Sequence, residues 1–310
     1  MKGMEALIKI EGKACEKLID VVSQGIGTLY RPRQIKREAD AQAYAIRVIG
    51  KAQAEVDADA RIIEVETEER ISRRLAGRET KRQQNIDTVV EMAANNLKGE
   101  TVSEEPVDVD WATRFFGIVQ DVSREEMQLL WAKILAKEVE RPSSFSMRTL
   151  EVLRNINFAE AAVFERVSNF VLSQNGHFLF NDNSILDRFG IRYVDLALLK
   201  ECGLLQSGDF VSKNYDSKPD GDMVTGFVYG EFIMLMTIPQ RTKTVQIPIA
   251  LLTQVGQEIF SLLNPVVNMD YMHAIAEEVK KTSPATRVQY AELISREGDS
   301  ISYKLPLIDL

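Results

Sequence analysis

The chain has 310 residues, 45% hydrophobic, 27% charged and 7% aromatic, with 38 basic against 46 acidic side chains for a formal net charge of −8. That balance fits a folded chain of about two domains and excludes collagen-like, low-complexity and disulfide-stapled classes. Its longest unbroken apolar run, Phe232 to Met236, is far short of the ~20 residues that cross a bilayer, and its two cysteines, Cys15 and Cys202, suit a reducing cytoplasm.

Charge is uneven along the chain. Residues 1–37 hold eight basic and four acidic groups, whereas residues 99–142 hold five basic and ten acidic. Residues 4–24 set Leu7, Ile8, Ala14, Cys15, Leu18, Ile19 and Val22 mostly three and four apart, which predicts an amphipathic helix. Gly25, Gly27 and Pro32 are expected to break it. A second, proline-free stretch from about Gln34 to Leu97 is dominated by strong helix formers. Within it Ile49, Val56 and Ile63 recur every seven residues, with Ile46 and Ala60 as partners, so Ile46, Ile49, Val56 and Ile63 are the self-association candidates of a short coiled-coil seam. Gly50 and Gly77 inside the stretch are expected to mark either breaks or close helix contacts, and Ile86, Val89, Val90, Ala93 and Leu97 read as the face of a separate segment.

Residues 99–110 form an acidic linker. Helices are then expected from Trp111, from a capping box at Ser123 and Glu126, from Ser146, and over Ala159–Leu172. Beyond them come two short helices, Ile185–Phe189 (capped at Asn183-Ser184) and Tyr193–Cys202. Residues 209–247 read as strands, with Phe227–Ile238 and then Thr242–Ile247, followed by a closing helix over Gly256–Leu263 capped by Thr253. A tail helix over Asp270–Lys281 and a hairpin complete the chain, with Val288, Tyr290, Glu292 and Ile294 facing Ile301, Tyr303 and Leu305. The fold class expected is mainly α with a smaller α+β part. Residues 1–98 form a helix plus rod, 99–110 a linker, 111–175 a helical domain, 176–265 a winged-helix-like module, and 266–310 a helix and hairpin.

Catalytic chemistry finds little support. His177 and His273 lack metal-ligand spacing, Asp57-x-Asp59, Asp108-x-Asp110 and Asp220-x-Asp222 read as solvated charge, and no phosphate-loop, dinucleotide or nucleophile-elbow pattern occurs. No enzyme, no metal and no cofactor is expected. The basic run Arg31, Arg33, Lys36 and Arg37, with Arg188 and Arg192, supplies candidate contacts for nucleic acid or another anionic ligand, including a membrane surface met by residues 4–37. The would-be recognition helix is charge-balanced, however, with Arg192 and Lys200 against Asp195 and Glu201. Protein contact is therefore the first expectation for the module and nucleic-acid binding the alternative.

Three blocks carry a family resemblance: Trp111–Phe116, Gln120–Ala136 and Pro142–Leu150, with the Gly25–Tyr30 start and the long Ala/Glu/Arg helix beside them. Together they resemble a bacterial family known as domain of unknown function 2806, over most of residues 20–265. The resemblance implies a bacterial cytoplasmic protein, often encoded near prophage or phage-defence genes, with no assigned activity and no catalytic residue to carry over. Ala39–Ala45 and Ala52–Ala58 are also similar in composition to the helices of flotillin-type scaffolds. The expected function is that of a homo-oligomeric, cytoplasmic interaction or scaffold protein of phage-related defence, its winged-helix-like body binding a protein partner.

Overall fold

A computed structural model describes residues 13–27, 60–208, 211–297 and 300–310. About half of it is helical and 20% is strand in an antiparallel sheet, so the chain is mixed α and β. The described residues divide into two compact units between Leu150 and Glu151.

The first unit contains helices α1 (Lys13–Ile26), α2 (Ala60–Asn96), α3 (Val109–Val119) and α4 (Glu125–Glu140), and the start of α5 (Met147–Asn155). Helix α1 buries the stripe Ala14, Leu18, Val21 and Val22 against α3 and α4, while Cys15 is only half-buried. Gly25 does not break α1. It lies in the last turn at the crossing with α3, where an added Cβ would stand 2.2 Å from Cδ2 of Phe116 and 2.7 Å from the Ala112 carbonyl. Gly27, with φ of 72°, ends the helix in the left-handed conformation that glycine adopts without a Cβ clash.

Gly77 does not break α2, which runs uninterrupted for 37 residues. Its last three turns bury Ile86, Val89, Val90 and Ala93 against α4, with Leu97 buried just beyond them, so the expected separate segment is the C-terminal end of one helix. The linker is irregular but pinned: Val107 is buried, the Ser103 amide donates to the Glu140 carbonyl, and Lys13 pairs with Glu104 at 2.7 Å. Asp108 caps α3 by accepting the Trp111 amide at 2.8 Å. The capping box expected at Ser123 is absent. Arg124 is the N-cap of α4 and makes no side-chain cap bond, whereas the Ser123 hydroxyl receives the Asn85 amide from α2. Trp111 stacks on Phe115, which meets Trp131 edge-on, at the centre of this unit.

The second unit begins with the end of α5 and α6 (Phe158–Ser168), capped by a reciprocal box between Asn157 and Glu160. The helix expected through Leu172 stops at Ser168, and Val171 and Leu172 belong to strand β1 (Val171–Ser173). Strand β2 (His177–Phe180) turns back on it. Then come α7 (Asn183–Arg188), capped by Asp182 one residue earlier than expected, and α8 (Tyr193–Glu201). Strands β3 (Val211–Tyr215), β4 (Met223–Tyr229), β5 (Phe232–Ile238) and β6 (Val245–Leu251) follow. The run expected as one strand over 227–238 is two, folded at Gly230 with φ of 56°. Helix α9 (Gln254–Phe260) carries the expected Thr253 cap, with the hydroxyl accepting the Gly256 amide at 3.0 Å.

Helix α10 (Met269–Thr282) and strands β7 (Arg287–Glu297), β8 (Ser300–Tyr303) and β9 (Ile308–Asp309) complete this unit. The strands make one antiparallel sheet in the order β3-β6-β2-β1-β4-β5-β7-β8, with β9 also on β7. The terminal hairpin forms, but its faces differ from expectation. Leu293 stands opposite Tyr303 and, past a bulge, Arg296 opposite Ile301. The residues packed on Ile233 and Leu235 are thus Ala291, Leu293, Ile301 and Tyr303 rather than the Val288 set. Over the sheet, Tyr271 of α10 is fully buried among Phe170, Phe189 and Tyr229, and its hydroxyl accepts the Phe180 amide at 3.2 Å.

Candidate functional site

The candidate surfaces differ in what they expose. In the first unit the feature is the N-terminal half of α2. From Thr67 to Lys81 every residue is exposed except the half-buried Ser72. Ile71 and Leu75, one turn apart, keep 43% and 42% of their surface in water. Charges surround them: Glu69 pairs with Arg73 one turn on, and Glu79 with Arg78 and Arg82. Arg82 also holds Asp121 with two bonds of 2.8 and 3.2 Å, marking where the exposed half passes into the packed half. Ile46, Ile49 and Val56 lie outside the described residues, as does the side chain of Ile63. The sequence pattern followed the seven-residue repeat and passed over Ile71 and Leu75, whose i, i+4 spacing amid charge was the available signal.

In the second unit α7 and α8 follow one another across the turn at Gly190. Asp195, buried on α8, accepts the Arg192 amide at 2.9 Å and the Arg166 guanidinium at 2.9 Å, and lies 3.8 Å from the Arg192 guanidinium. Arg188 stands 3.8 Å from Glu277 of α10. Each of these two candidate phosphate ligands therefore already faces a carboxylate. Arg31, Arg33, Lys36 and Arg37 lie outside the described residues. The first turn of α8 instead presents apolar surface, with Tyr193 64% and Val194 57% exposed.

An open cleft of about 340 Å³ runs between α7 and α10, lined by Arg188, Phe189, Asp270, His273, Ala274 and Glu277. Its charges are of both signs and exposed, which gives neither a desolvated acid–base pair nor a converging ligand set. His177 is elsewhere, against Phe260, with Nδ1 3.3 Å from Oε1 of Gln257. Burial pushes its pKa down, the Gln257 contact opposes that, and the Arg296 charge adds to it. Lys213 lies over the Phe178 ring and donates to the Gln174 carbonyl at 2.8 Å, its pKa lowered by burial. Among the described residues no group of three or more His, Cys, Asp or Glu side chains could hold a metal ion, and no helix is long and apolar enough to cross a membrane.

A family model, described as protein of unknown function (DUF2806), matches residues 69–276, about two thirds of the 310 residues. The chain belongs to this family. The DUF2806 match opens at Glu69, inside the exposed half of α2, and closes within α10. It brings no named enzymatic activity. No curated protein and no solved structure matches the DUF2806 chain.

Proposed function

We propose that this chain is a non-enzymatic, self-associating interaction protein whose exposed α2 segment is its assembly surface. One observation carries the reading. Ile71 and Leu75 stand in water on a helical segment exposed along four turns, and a lone helix of that kind is marginal without a packing partner. In the sequence, positions 56, 60, 63, 71 and 75 share one sector of a 100°-per-residue pattern, so the described pair extends the periodicity from which the seam is expected.

The second unit is, on this reading, a winged-helix-like module for a protein partner. Support comes from the succession α6, β2, α7, α8, β3, β6, with the three strands side by side as β3-β6-β2 and the β4–β5 hairpin inserted where a wing would be. Support for a protein rather than DNA comes from the first turn of α8. Helix-turn-helix readers set base contacts there, and here it carries Tyr193 and Val194 beside the Asp195-paired Arg192. A bacterial cytoplasmic setting in phage-related defence is the context that the family resemblance adds to the proposal. The second reading, a nucleic-acid-binding regulator, rests on the same helix-turn-helix succession. It requires a duplex-DNA shift at about 50 mM salt that fades steeply as salt rises.

Light scattering on the full chain tests the assembly. The expected mass exceeds 35.0 kDa, and Ile71→Asp with Leu75→Asp returns it to the monomer value while the chain still melts cooperatively. A wild-type mass of 35.0 kDa at micromolar concentration would overturn the proposal. Removing residues before Gly99 is unsuitable as a test, because it strips Ile86, Val89, Val90 and Ala93 from the core of the first unit.

A further inference from the structure

Strands β3 and β8 stand at the two ends of the sheet, and their outer sides differ. The ladder of β8 with β7 is short and shifted by the bulge between Leu293 and Ser295, an irregularity of the kind that blunts an edge. Strand β3 is regular, with Val211 to Tyr215 paired to Ile249 to Val245 in continuous register. The Pro248 carbonyl accepts the Asn181 amide at 2.8 Å, so it turns toward the end of β2 and away from β3. Ser212, directly opposite Pro248, therefore sits at a position without ladder bonds to β6. Its N–H and C=O point out from the sheet, as do those of Asn214 two residues on. Both residues are exposed. A regular strand with outward-facing amides is a template for a further strand.

Lys213, between those two residues, faces inward. Its ammonium stands 5.0 Å from the centre of the Phe178 ring and donates to the Gln174 carbonyl at 2.8 Å. The side chain is half-buried, and among the described residues no carboxylate partners it. We infer that Lys213 keeps the outer edge of β3 from pairing with the same edge of a second copy of this chain. A strand laid along Ser212 and Asn214 would shut out water that still reaches the ammonium. An ammonium enclosed without a counter-charge is costly, and inward-pointing charge is one way in which sheet edges are protected. Lys213 is the only charged residue of β3, whose other members are Val211, Ser212, Asn214 and Tyr215. None of those four opposes pairing, so the protection falls to one side chain. This inference does not depend on the assembly proposed for α2.

Light scattering on the full chain tests it, each variant being read against the unmodified chain at the same concentration, whatever mass α2 gives that chain. Lys213→Met keeps an unbranched stem over Phe178 and removes the charge. Its expected mass is at least about twice that of the unmodified chain, because edge pairing about a two-fold axis joins two of the units present. Lys213→Arg keeps the charge and is expected to leave the mass unchanged. Adding Ser212→Pro to Lys213→Met removes an outward-facing donor and leaves the β6 ladder intact, so the mass should return to that of the unmodified chain. A cooperatively melting Lys213→Met of unchanged mass would overturn the inference. So would extra mass that survives Ser212→Pro, since the association would then lie away from β3. If Lys213→Met does not melt cooperatively, Lys213→Gln, which keeps a donor for the Gln174 carbonyl, is read by the same outcomes.

Discussion

The indole N–H of Trp111 donates to the backbone carbonyl of Phe145 at 2.9 Å, both groups buried, and so ties the first turn of α3 to the loop that follows α4. Replacing Trp111 by Phe keeps an aromatic ring there but leaves that carbonyl without its donor. The expected cost is about 1–3 kcal/mol. Urea titration followed by circular dichroism measures it, and a midpoint unchanged from wild type would show that the carbonyl finds another partner.

Glu138 serves the same loop from the other side. Its carboxylate, almost wholly buried, accepts the Ser143 amide at 2.7 Å and the Phe145 amide at 3.0 Å with separate oxygens. Glu138→Gln keeps the shape but turns an NH2 group toward one of the two amides, placing donor against donor. A loss of about 1–3 kcal/mol is expected, visible as a lower thermal midpoint in calorimetry.

Two glycines should respond in opposite directions. At Gly25 a methyl group would enter the space of the Phe116 ring and the Ala112 carbonyl, so Gly25→Ala must force α1 and α3 apart and destabilise by about 1–3 kcal/mol. Around Gly77 nothing lies within 4 Å of an added Cβ. Gly77→Ala should therefore stabilise α2 by up to about 1 kcal/mol through helix propensity. Thermal melts of the two variants side by side check the contrast.

His177 gives a pH dependence of definite sign. Burial lowers its pKa in the folded chain below the ordinary value of 6.5, so the unfolded chain binds the proton more readily. Its contribution is fully present above pH 6.5 and is lost as the pH falls below that value toward the folded pKa. His177→Gln should flatten the change in melting temperature between about pH 7.5 and 5.5 relative to wild type. Equal slopes for the two proteins would count against this assignment.

What could be read in advance was local. The α1 stripe through Leu18 and Val22, the Thr253 cap and the tail helix all follow from spacings within one or two turns. The misreadings arose where a distant residue decided the outcome. Asn85, 38 positions away, takes the Ser123 hydroxyl that would otherwise cap α4. Val171 and Leu172 continue an apolar helical pattern, yet they find strand partners in Leu179 and Phe178. The bulge between Leu293 and Ser295 shifts the alternation of β7, which no count of apolar residues reveals. Ile71 and Leu75 were overlooked for a different reason: the seven-residue repeat ends before them, and only their exposure in the folded unit makes them conspicuous.

The pairing of β5 with β7 also sets an order of events during synthesis. Strand β5 leaves the ribosome well before β7, with β6, α9 and α10 made in between, and Phe232–Thr237 have to wait for their partners Arg287–Glu292. During that interval the edge of β5 holding Ile233, Met234, Leu235 and Met236 has no neighbour on that side, and an uncovered apolar edge is a template for foreign strands. A chain that terminates prematurely ahead of Arg287 would keep that edge open permanently, making nascent-chain protection a greater need for this protein than its modest length suggests.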